Sequence, residues 1–232
     1  MSSVDSSVVL IPRRLDKLSA TSARVAALGY ESVPFALLDF EALPCQMPAD
    51  VQAIVVTSSA ALEAMPRSEL PVYCVGEQTA REAQEYGFNI QHIGSGNAAD
   101  LAEWIGLNLP PQHLYHPTAE GSESQWYQGL QTLGFQITPA HVYKKSFATE
   151  LPTEVVCCLT ENKVSFTLVF SAKSAQVLKD LCQKYNLPLS TLGTIVAISN
   201  KVAEQFAEQH TIMVAKQPNL QEMLNVLEQT TQ

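Results

Sequence analysis

Short runs of apolar, largely β-branched residues alternate along the chain with longer stretches in which apolar residues recur every three or four positions. The runs are VVLI at 8–11, IVVT at 54–57, VYCV at 72–75, IQHI at 90–93, LVF at 168–170, IVAI at 195–198 and IMVA at 212–215. The intervening stretches predict amphipathic helices, and Gly29, Gly87 and Gly134 fall where such helices end. Residues 152–163 favour a further helix, with Thr153 as its N-cap. Strands that alternate with helices predict an α/β fold with parallel sheets covered on both faces.

Segments of the two halves of the chain resemble each other, but they occur in a different order. Residues 53–65 (AIVVTSSAALEAM) have the same pattern of strand, hydroxyl-rich turn and helix as residues 167–179 (TLVFSAKSAQVLK). The segment LGYESVP at 28–34 matches LGFQITP at 133–139, and a third pair begins at Val72 and Thr194. Repeats of this size predict duplicated domains rather than a solenoid.

The order of the repeats predicts that one domain is discontinuous. The first strand and helix precede a complete second set, and their remaining partners follow only after Tyr143. We therefore predict a discontinuous lobe of residues 1–37 and 148–232, an inserted lobe of residues 42–140, and two linker strands at residues 34–43 and 139–149. Both linkers read as extended and contain proline. Two domains of ordinary size suit a chain of 232 residues, of which 46% are apolar.

The composition narrows the classes of partner. Fourteen Lys and Arg against 23 Asp and Glu give a net charge of −9, and no basic run occurs. Neither a nucleic-acid partner nor an anionic membrane surface is expected, because binding of phosphate backbones depends on cationic side chains. The sequence shows no run of about 18 apolar residues and no charged-then-apolar leader. We expect a soluble, cytoplasmic protein.

No recognisable motif for a cofactor, a metal or a catalytic nucleophile is present in the sequence. The five cysteines lack paired CxxC spacing, and the adjacent Cys157 and Cys158 in VVCCL are predicted to be small core residues. The phosphate-binding patterns GxxxxGK[ST] and GxGxxG after a strand are missing. His113 and His116 are predicted to flank a short strand, and no third metal ligand lies nearby. We therefore expect no cofactor and no metal.

The turns that follow the predicted strands are rich in residues that cap helices. In parallel α/β sheets, ligands bind at the carboxyl ends of the strands, where helix N-termini present unpaired N–H groups to anions. The candidate turns are Thr57-Ser58-Ser59, Gly76-Glu77-Gln78-Thr79, Gly94-Ser95-Gly96-Asn97, Ser171-Ala172-Lys173-Ser174 and Ser199-Asn200-Lys201. Ordinary N-capping accounts for any one of them. Five such turns together predict a binding site for an anion, in one cleft between the lobes.

Taken in order, these segments resemble the uroporphyrinogen-III synthase family. The likeness runs from VVLIPRR through LGYESVPFALLDFE, AIVVTSSAALEA, VYCVGEQTA, GNAADLAEWI, LGFQITPAHVYKKS, LVFSAKSA and VAISNKVAEQF to the helix that begins at Asn219. The resemblance implies a monomer of two flavodoxin-like lobes that closes the linear tetrapyrrole hydroxymethylbilane, with loss of water and inversion of ring D. It also implies that no cofactor or metal takes part. Helix N-termini suit a substrate with eight carboxylates in a protein with few cationic side chains.

The resemblance also implies roles for individual residues. Tyr143, in HVYKKS, matches a tyrosine after the inserted lobe and is expected to donate a hydrogen bond or a proton to the departing hydroxyl group. The implied substrate-binding residues are Arg13, Thr57, Ser58, Ser59, Gly76, Thr79, Ser171, Lys173, Ser174, Asn200 and Lys201. The sequence pattern alone favours a half-buried strand aromatic at Tyr143.

Two segments depart from the family pattern. The turn whose sequence in the family is often IGxTTA has the sequence ISNKVA at residues 198–203, so a glycine and both threonines are lost. Asn200 and Lys201 are expected to cap the helix and attract a carboxylate in their place. Residues 114–122 (LYHPTAEGS) lack the Arg-Gly that often follows that strand. Two alternatives therefore stay open, namely a non-catalytic protein that binds a carboxylated small molecule and a degenerate paralogue that acts as an interaction module.

Overall fold

The computed structural model describes residues 7–122, 125–206 and 211–230. Its strands are β1 Val8–Arg14, β2 Glu31–Ala42, β3 Ala53–Val56, β4 Pro71–Cys74, β5 Asn89–Ile93, β6 His113–Ala119, β7 Gln136–Phe147, β8 Val164–Val169, β9 Thr194–Ala197 and β10 Ile212–Val214. Its α-helices are α1 Leu18–Ala26, α2 Ala60–Glu63, α3 Glu77–Glu85, α4 Ala98–Asn108, α5 Gln128–Thr132, α6 Thr153–Thr160, α7 Ala172–Lys184, α8 Asn200–Ala203 and α9 Leu220–Glu228.

The described residues form two compact units. Unit 1 contains the described residues up to Asp39 and from Ser146 onward, and unit 2 is Phe40–Lys145. The chain leaves unit 1 within β2 and returns to it within β7, each a strand of 12 residues. The two strands are adjacent in each unit. In unit 1 the N–H of Ala148 donates to the carbonyl of Leu37, and in unit 2 the N–H of Leu43 donates to that of Val142.

Each unit has a parallel sheet. The strand order is β2-β1-β8-β9-β10 in unit 1 and β7-β6-β3-β4-β5 in unit 2, and the neighbours in each order pair in parallel. The predicted mixed α/β fold with parallel strands is therefore confirmed. The repeats seen in the sequence occupy equivalent positions, since β1-α1-β2 corresponds to β6-α5-β7 and β8 corresponds to β3. In strand order, unit 2 is a circularly permuted counterpart of unit 1.

Helices cover both faces of each sheet. In β1, Leu10 packs in a core cluster with α7, whereas Ile11 packs in a cluster with α1 and α9. In β3, Ile54 packs with α2 and α3, whereas Val55 packs with α4 and α5. Because successive side chains of a strand point to opposite faces, a strand buried on both sides needs a continuous apolar run. This requirement explains why the short apolar runs located the strands well.

The helix ends confirm several predictions. The predicted helix-ending glycines have positive φ, 85° at Gly29, 80° at Gly87 and 90° at Gly134. Asn97 caps α4, because its side-chain oxygen accepts a hydrogen bond from the N–H of Ala99. Asn219 caps α9 through the N–H of Glu222. These capped ends fix where the helices begin and end.

Three local predictions were wrong. Thr153 is the first residue of α6, and Pro152 is its N-cap, with the extended backbone (φ −58°, ψ 148°) that proline readily adopts at a helix entrance. His113 and His116 lie within β6 rather than beside it, because β6 pairs with β7 along its whole length. Cys157 is exposed instead of buried in the core. The buried face of α6 carries Val155 and Leu159, which places Cys157 on the other side of that helix.

The described residues contain neither a helix that could span a membrane nor a cluster suited to hold a metal ion. No helix in the described ranges has both the length and the apolar composition needed to cross a membrane. The same ranges contain no group of three or more His, Cys, Asp or Glu residues placed to hold a metal ion.

His116 is a fully buried histidine in unit 2. Its Nδ1 lies 3.1 Å from the carbonyl oxygen of Val55. Nδ1 carries the proton, because a carbonyl only accepts hydrogen bonds. Among the described residues, Nε2 has no hydrogen-bond partner. Burial lowers the pKa of His116 because the charged ring would lose its hydration, and the bond to Val55 only partly opposes this effect.

Acid is expected to destabilise the protein through His116. Because the folded chain lowers this pKa below the unfolded value of about 6.5, the unfolded chain binds the proton more tightly. The contribution of the neutral ring is complete above about pH 6.5 and is lost as the pH falls through the folded pKa. Each tenfold difference in proton affinity between the two states corresponds to about 1.4 kcal/mol.

Thermal unfolding of the wild type and of His116→Asn at about pH 7.5 and pH 5 measures this contribution. Asparagine keeps a donor for the Val55 carbonyl but does not titrate, so the variant should lose less stability on acidification. An equal loss in both proteins would show that His116 is not responsible.

Candidate functional site

Tyr143 and Ser58 meet at the carboxyl end of β3 in unit 2. The phenol of Tyr143, in β7, donates a hydrogen bond of 3.4 Å to Oγ of Ser58. Tyr143 is only 3% exposed, and its ring centre lies 5.0 Å from that of Phe40 in β2. Tyr143 is therefore more buried than the sequence pattern alone suggested. The fold brings together two of the residues that the resemblance assigned to the site.

The turn between β3 and α2 keeps its hydroxyl groups available. Thr57, Ser58 and Ser59 are half-buried, and α2 is a single turn of four residues. Ser59 occupies the N-cap with a helical backbone, and its side chain makes no capping hydrogen bond. The first turn of α2 is instead closed by the carbonyls of Ser58 and Ser59, which accept from the N–H groups of Ala61 and Leu62. Capping therefore does not use these side chains.

The turn between β4 and α3 depends on glycine. Gly76 is the N-cap of α3 and has an extended backbone, and a Cβ on it would lie 3.0 Å from Cα of Gly96. Thr79, in the first turn of α3, is 8% exposed. Glu77 lies in the same helical turn, and its carboxylate opposes the attraction of the helix N-terminus for an anion.

The turn between β5 and α4 does not fit the predicted anion site. The Asn97 side chain is occupied in capping α4, and the Ser95 hydroxyl donates to the carboxylate of Asp100 at 2.6 Å. Asp100 therefore places a negative charge at the N-terminus of α4. Of the five candidate turns, the one between β5 and α4 is therefore better explained by ordinary helix capping than by anion binding.

Arg13, at the end of β1 in unit 1, is a partly buried cation. Its Nη1 donates to Oγ1 of Thr21, and that hydroxyl donates to the carbonyl of Lys17 at 2.6 Å. The guanidinium carbon lies 4.2 Å from the ring centre of Phe170. Burial lowers the pKa of Arg13, but an arginine stays charged at any physiological pH.

The turn between β8 and α7 combines capping hydroxyls with a lysine. Oγ of Ser171 accepts a hydrogen bond of 3.0 Å from the N–H of Ser174 and lies 2.8 Å from Oγ of the same residue. Lys173 is exposed, with its Nζ 5.8 Å from the ring centre of Phe147. No acidic residue lies in the first turn of α7. A carboxylate approaching this turn meets positive charge and one hydroxyl pair.

The turn between β9 and α8 differs from its prediction. Ser199, with an extended backbone, is the N-cap of α8, so Asn200 is not a cap but the first residue of this four-residue helix. Asn200 and Lys201 are both exposed, and the first turn contains no acidic residue. Lys201 therefore remains suited to attract a carboxylate, whereas the predicted capping role of Asn200 was wrong.

Charge is distributed unequally between the site residues of the two units. The site cations Arg13, Lys173 and Lys201 all belong to unit 1, where α7 and α8 start without acidic residues. In unit 2, the first turns of α2, α3 and α4 contain Glu63, Glu77 and Asp100 respectively. The Lys and Arg residues of unit 2 are Arg67, Arg81, Lys144 and Lys145, none of which lies in a candidate turn. The turns of unit 1 therefore attract an anion more strongly than those of unit 2.

Three residues that contact the predicted site were not identified from the sequence. Phe40 packs against Tyr143, whereas Phe170 and Thr21 contact Arg13. Phe170 directly precedes Ser171, but only the pairing of β1 with β8 reveals its partner. Leu10 is opposite Thr167 in that pairing, and Arg13 and Phe170 each follow these residues by three positions. No sequence signal specifies such a cross-strand contact.

Comparisons with known proteins agree on one family. A family model described as uroporphyrinogen-III synthase HemD matches residues 19–225. The solved structure of uroporphyrinogen-III synthetase from Helicobacter pylori is similar over 97% of this chain and 99% of its own, with 20% identity and a TM-score of 0.64. A mutant uroporphyrinogen-III synthase from Thermus thermophilus is similar over 97% and 99%, with 16% identity and a TM-score of 0.55. No curated protein matches the chain.

These findings carry different weights. At such low identity, the likeness to the two solved structures shows the fold alone. The family model covers most of the chain, including the β3, β4, β8 and β9 turns and Tyr143, although it begins after Arg13. On the basis of that match, the chain belongs to the uroporphyrinogen-III synthase family, the cyclising hydro-lyases of haem biosynthesis.

Proposed function

We propose that the chain closes hydroxymethylbilane, that turns of unit 1 bind carboxylates of this substrate, and that Tyr143 of unit 2 assists the loss of water. The reaction of the family gives uroporphyrinogen III. Water leaves the hydroxymethyl group on ring A, ring D attacks the resulting azafulvenium ion through its substituted carbon, and the spirocyclic intermediate fragments and recloses with ring D inverted. The observation that carries the proposal is the hydrogen bond of Tyr143 to Ser58 at the carboxyl end of β3.

Tyr143 is suited to act on the departing hydroxyl group. Its phenol bonds to Ser58 at 3.4 Å, a long hydrogen bond that a substrate oxygen can replace. The phenol proton would pass to the departing oxygen, or be shared with it, as the C–O bond breaks and water leaves. Because a phenol is a weak acid at neutral pH, positioning of the tetrapyrrole should contribute more to the rate than proton transfer.

The carboxylates of the substrate are proposed to bind mainly to unit 1. Arg13, Lys173 and Lys201 supply positive charge there, and the amides at the starts of α7 and α8 add N–H donors. The hydroxyls of Thr57, Ser59 and Thr79 and the turn at Gly76 would offer neutral hydrogen-bond partners in unit 2. This distribution suits a polyanion that must be held firmly at one part and left to react at another.

We also propose that each unit is a flavodoxin-like lobe and that the two units are the predicted lobes. Numbered along the chain, the strands of unit 1 have the order 2-1-3-4-5, as in flavodoxin. Unit 2 has the same order when its strands are counted from β6 through β7 and then from β3. Doubly wound folds bind ligands at the carboxyl ends of their strands, which is where the site residues lie.

The test of the function is the isomer that forms. Hydroxymethylbilane generated in situ is supplied to the protein, and the products are oxidised and separated into type I and type III porphyrins. Spontaneous closure gives type I, so type III above the level of a buffer control supports the proposal. Type I alone would contradict it and would favour a protein that binds a carboxylated small molecule without chemistry. The predicted monomeric state is tested separately by light scattering.

A further inference from the structure

Within the described part of the chain, Arg13 differs from the neighbouring Arg14 in having no carboxylate bonded to its guanidinium, although the charge of Asp16 acts on it from a distance. Arg14 forms a bidentate ion pair with Asp16. Among the residues that the structure describes, no carboxylate forms an ion pair with Arg13, which is half-buried. Burial lowers the pKa of Arg13, and the nearby carboxylate of Asp16 opposes this effect only in part. A partly desolvated cation whose N–H groups are not bonded to a carboxylate is costly, and a bound anion lowers that cost.

Two neutral groups hold the guanidinium of Arg13 in place. The ring of Phe170 lies 4.2 Å from its central carbon, within the distance at which a cation is attracted to an aromatic ring. The hydroxyl of Thr21 accepts from Nη1 and is itself fixed, because Thr21 is fully buried and donates to the carbonyl of Lys17. Only one of the five N–H groups of Arg13 is used in these contacts.

The contacts of Arg13 with Phe170 and Thr21 depend on where the backbone places these three residues. Leu10 in β1 is opposite Thr167 in β8, and Arg13 and Phe170 each follow these paired residues by three positions along adjacent parallel strands. Thr21 lies on the buried face of α1, which follows β1 after a short 3-10 helix at Leu15–Lys17. A ring and a hydroxyl fix the plane of the guanidinium without neutralising its charge. The remaining N–H groups can then form the paired hydrogen bonds that arginine makes with a carboxylate.

We infer that Phe170 is a positioning residue for substrate binding, acting through Arg13, with Thr21 as a second support. The inference rests on the proposed function, because it takes a carboxylate of hydroxymethylbilane as the anion that Arg13 binds. Holding the guanidinium in one orientation lowers the entropy lost when the carboxylate is bound. The contribution is therefore to the KM for hydroxymethylbilane, with a smaller effect on kcat.

The test compares Phe170→Leu with Phe166→Leu. Phe166 is also half-buried and packs against the same core cluster, but its ring contacts Tyr30 and, within the described ranges, no cation. Both variants should lose a similar amount of thermal stability. Phe170→Leu should raise the KM roughly 2- to 30-fold, the range of fold-changes that matches the strength of a cation–ring contact. Phe166→Leu should leave the KM unchanged. Phe170→Tyr keeps the aromatic ring, so its KM should equal that of the wild type.

A double-mutant cycle separates positioning from a direct contact with the substrate. If Phe170 acts through Arg13, Phe170→Leu has no further effect on the KM of Arg13→Ala. Independent, multiplicative effects of the two changes would overturn the inference, as would equal KM values for Phe170→Leu and Phe166→Leu. Failure of the proposed function is recognised separately, because the wild type would then form no type III isomer at all.

Discussion

Replacing Tyr143 by phenylalanine is expected to lower kcat by about 100-fold, near the lower end of the effect of a positioned general acid. The variant keeps the buried ring and its packing against Phe40, so the fold and the KM should change little. The fraction of type III product should also fall, because slower enzymatic closure leaves more hydroxymethylbilane to close spontaneously as type I. The measurement is the initial rate of each isomer with substrate generated in situ.

Tyr115→Phe is the matched control for this experiment. Tyr115 belongs to the same unit and the same core cluster, is 1% exposed, and has a hydroxyl that bonds to no candidate turn within the described ranges. Its pKa is raised to about 12, mainly by burial, so it is no candidate for an acid. Activity of this variant should equal that of the wild type. Full turnover and full type III selectivity in Tyr143→Phe would show that the acid role is wrong.

Of the substitutions proposed, Gly193→Ala is expected to lower the free energy of unfolding most, by at least about 3 kcal/mol. Gly193 has φ 63° and ψ −150°, a conformation essentially restricted to glycine. A Cβ there would lie 2.4 Å from the backbone oxygen of Ser165 and 2.6 Å from that of Val164. Backbone atoms of β8 cannot move aside without disturbing the pairing of β8 with β9.

Thermal unfolding measures this effect, and for a chain of this length the midpoint should fall by roughly 6–12 °C. Gly129→Ala is the control, because Gly129 lies in α5 and a Cβ on it would meet nothing within 4 Å. That change should stabilise the protein slightly, since alanine is the better helix former. A midpoint for Gly193→Ala within a degree of the wild type would contradict the predicted clash.

The accuracy of the sequence predictions depended on how local their physical cause is. The apolar runs located β1, β3, β4, β8 and β9, because a strand buried on both faces needs such a run wherever it lies in the fold. They also located the edge strands β5 and β10, which are only partly buried. The helix-ending glycines were also correct, since a left-handed residue is required by the turn itself. Thr153 and Cys157 were misassigned because the start of a helix and its buried face depend on what packs against it.

In the candidate turns, too, the sequence was right about the capping residues and did not reveal which turn suits an anion. The sequence identified the capping residues Asn97 and Ser171, whose side chains bond to amides only two or three positions away. It did not distinguish the turn of Asn97 from the others, although Asp100 makes that turn unfavourable for an anion. Whether a capping turn can also bind an anion depends on which of its side chains already bond to each other, as Ser95 and Asp100 do. The sequence does not show these bonds.

By itself, the sequence determined the alternation of strands and helices, the order of the repeats, the family likeness and the residue types at the ends of the strands. Only the tertiary structure decided that Tyr143 bonds to Ser58 and that Phe170 lies over Arg13. The physical reason is distance along the chain. Strand and turn signals arise from neighbours, whereas these contacts join residues 85 or more positions apart and depend on the register of paired strands.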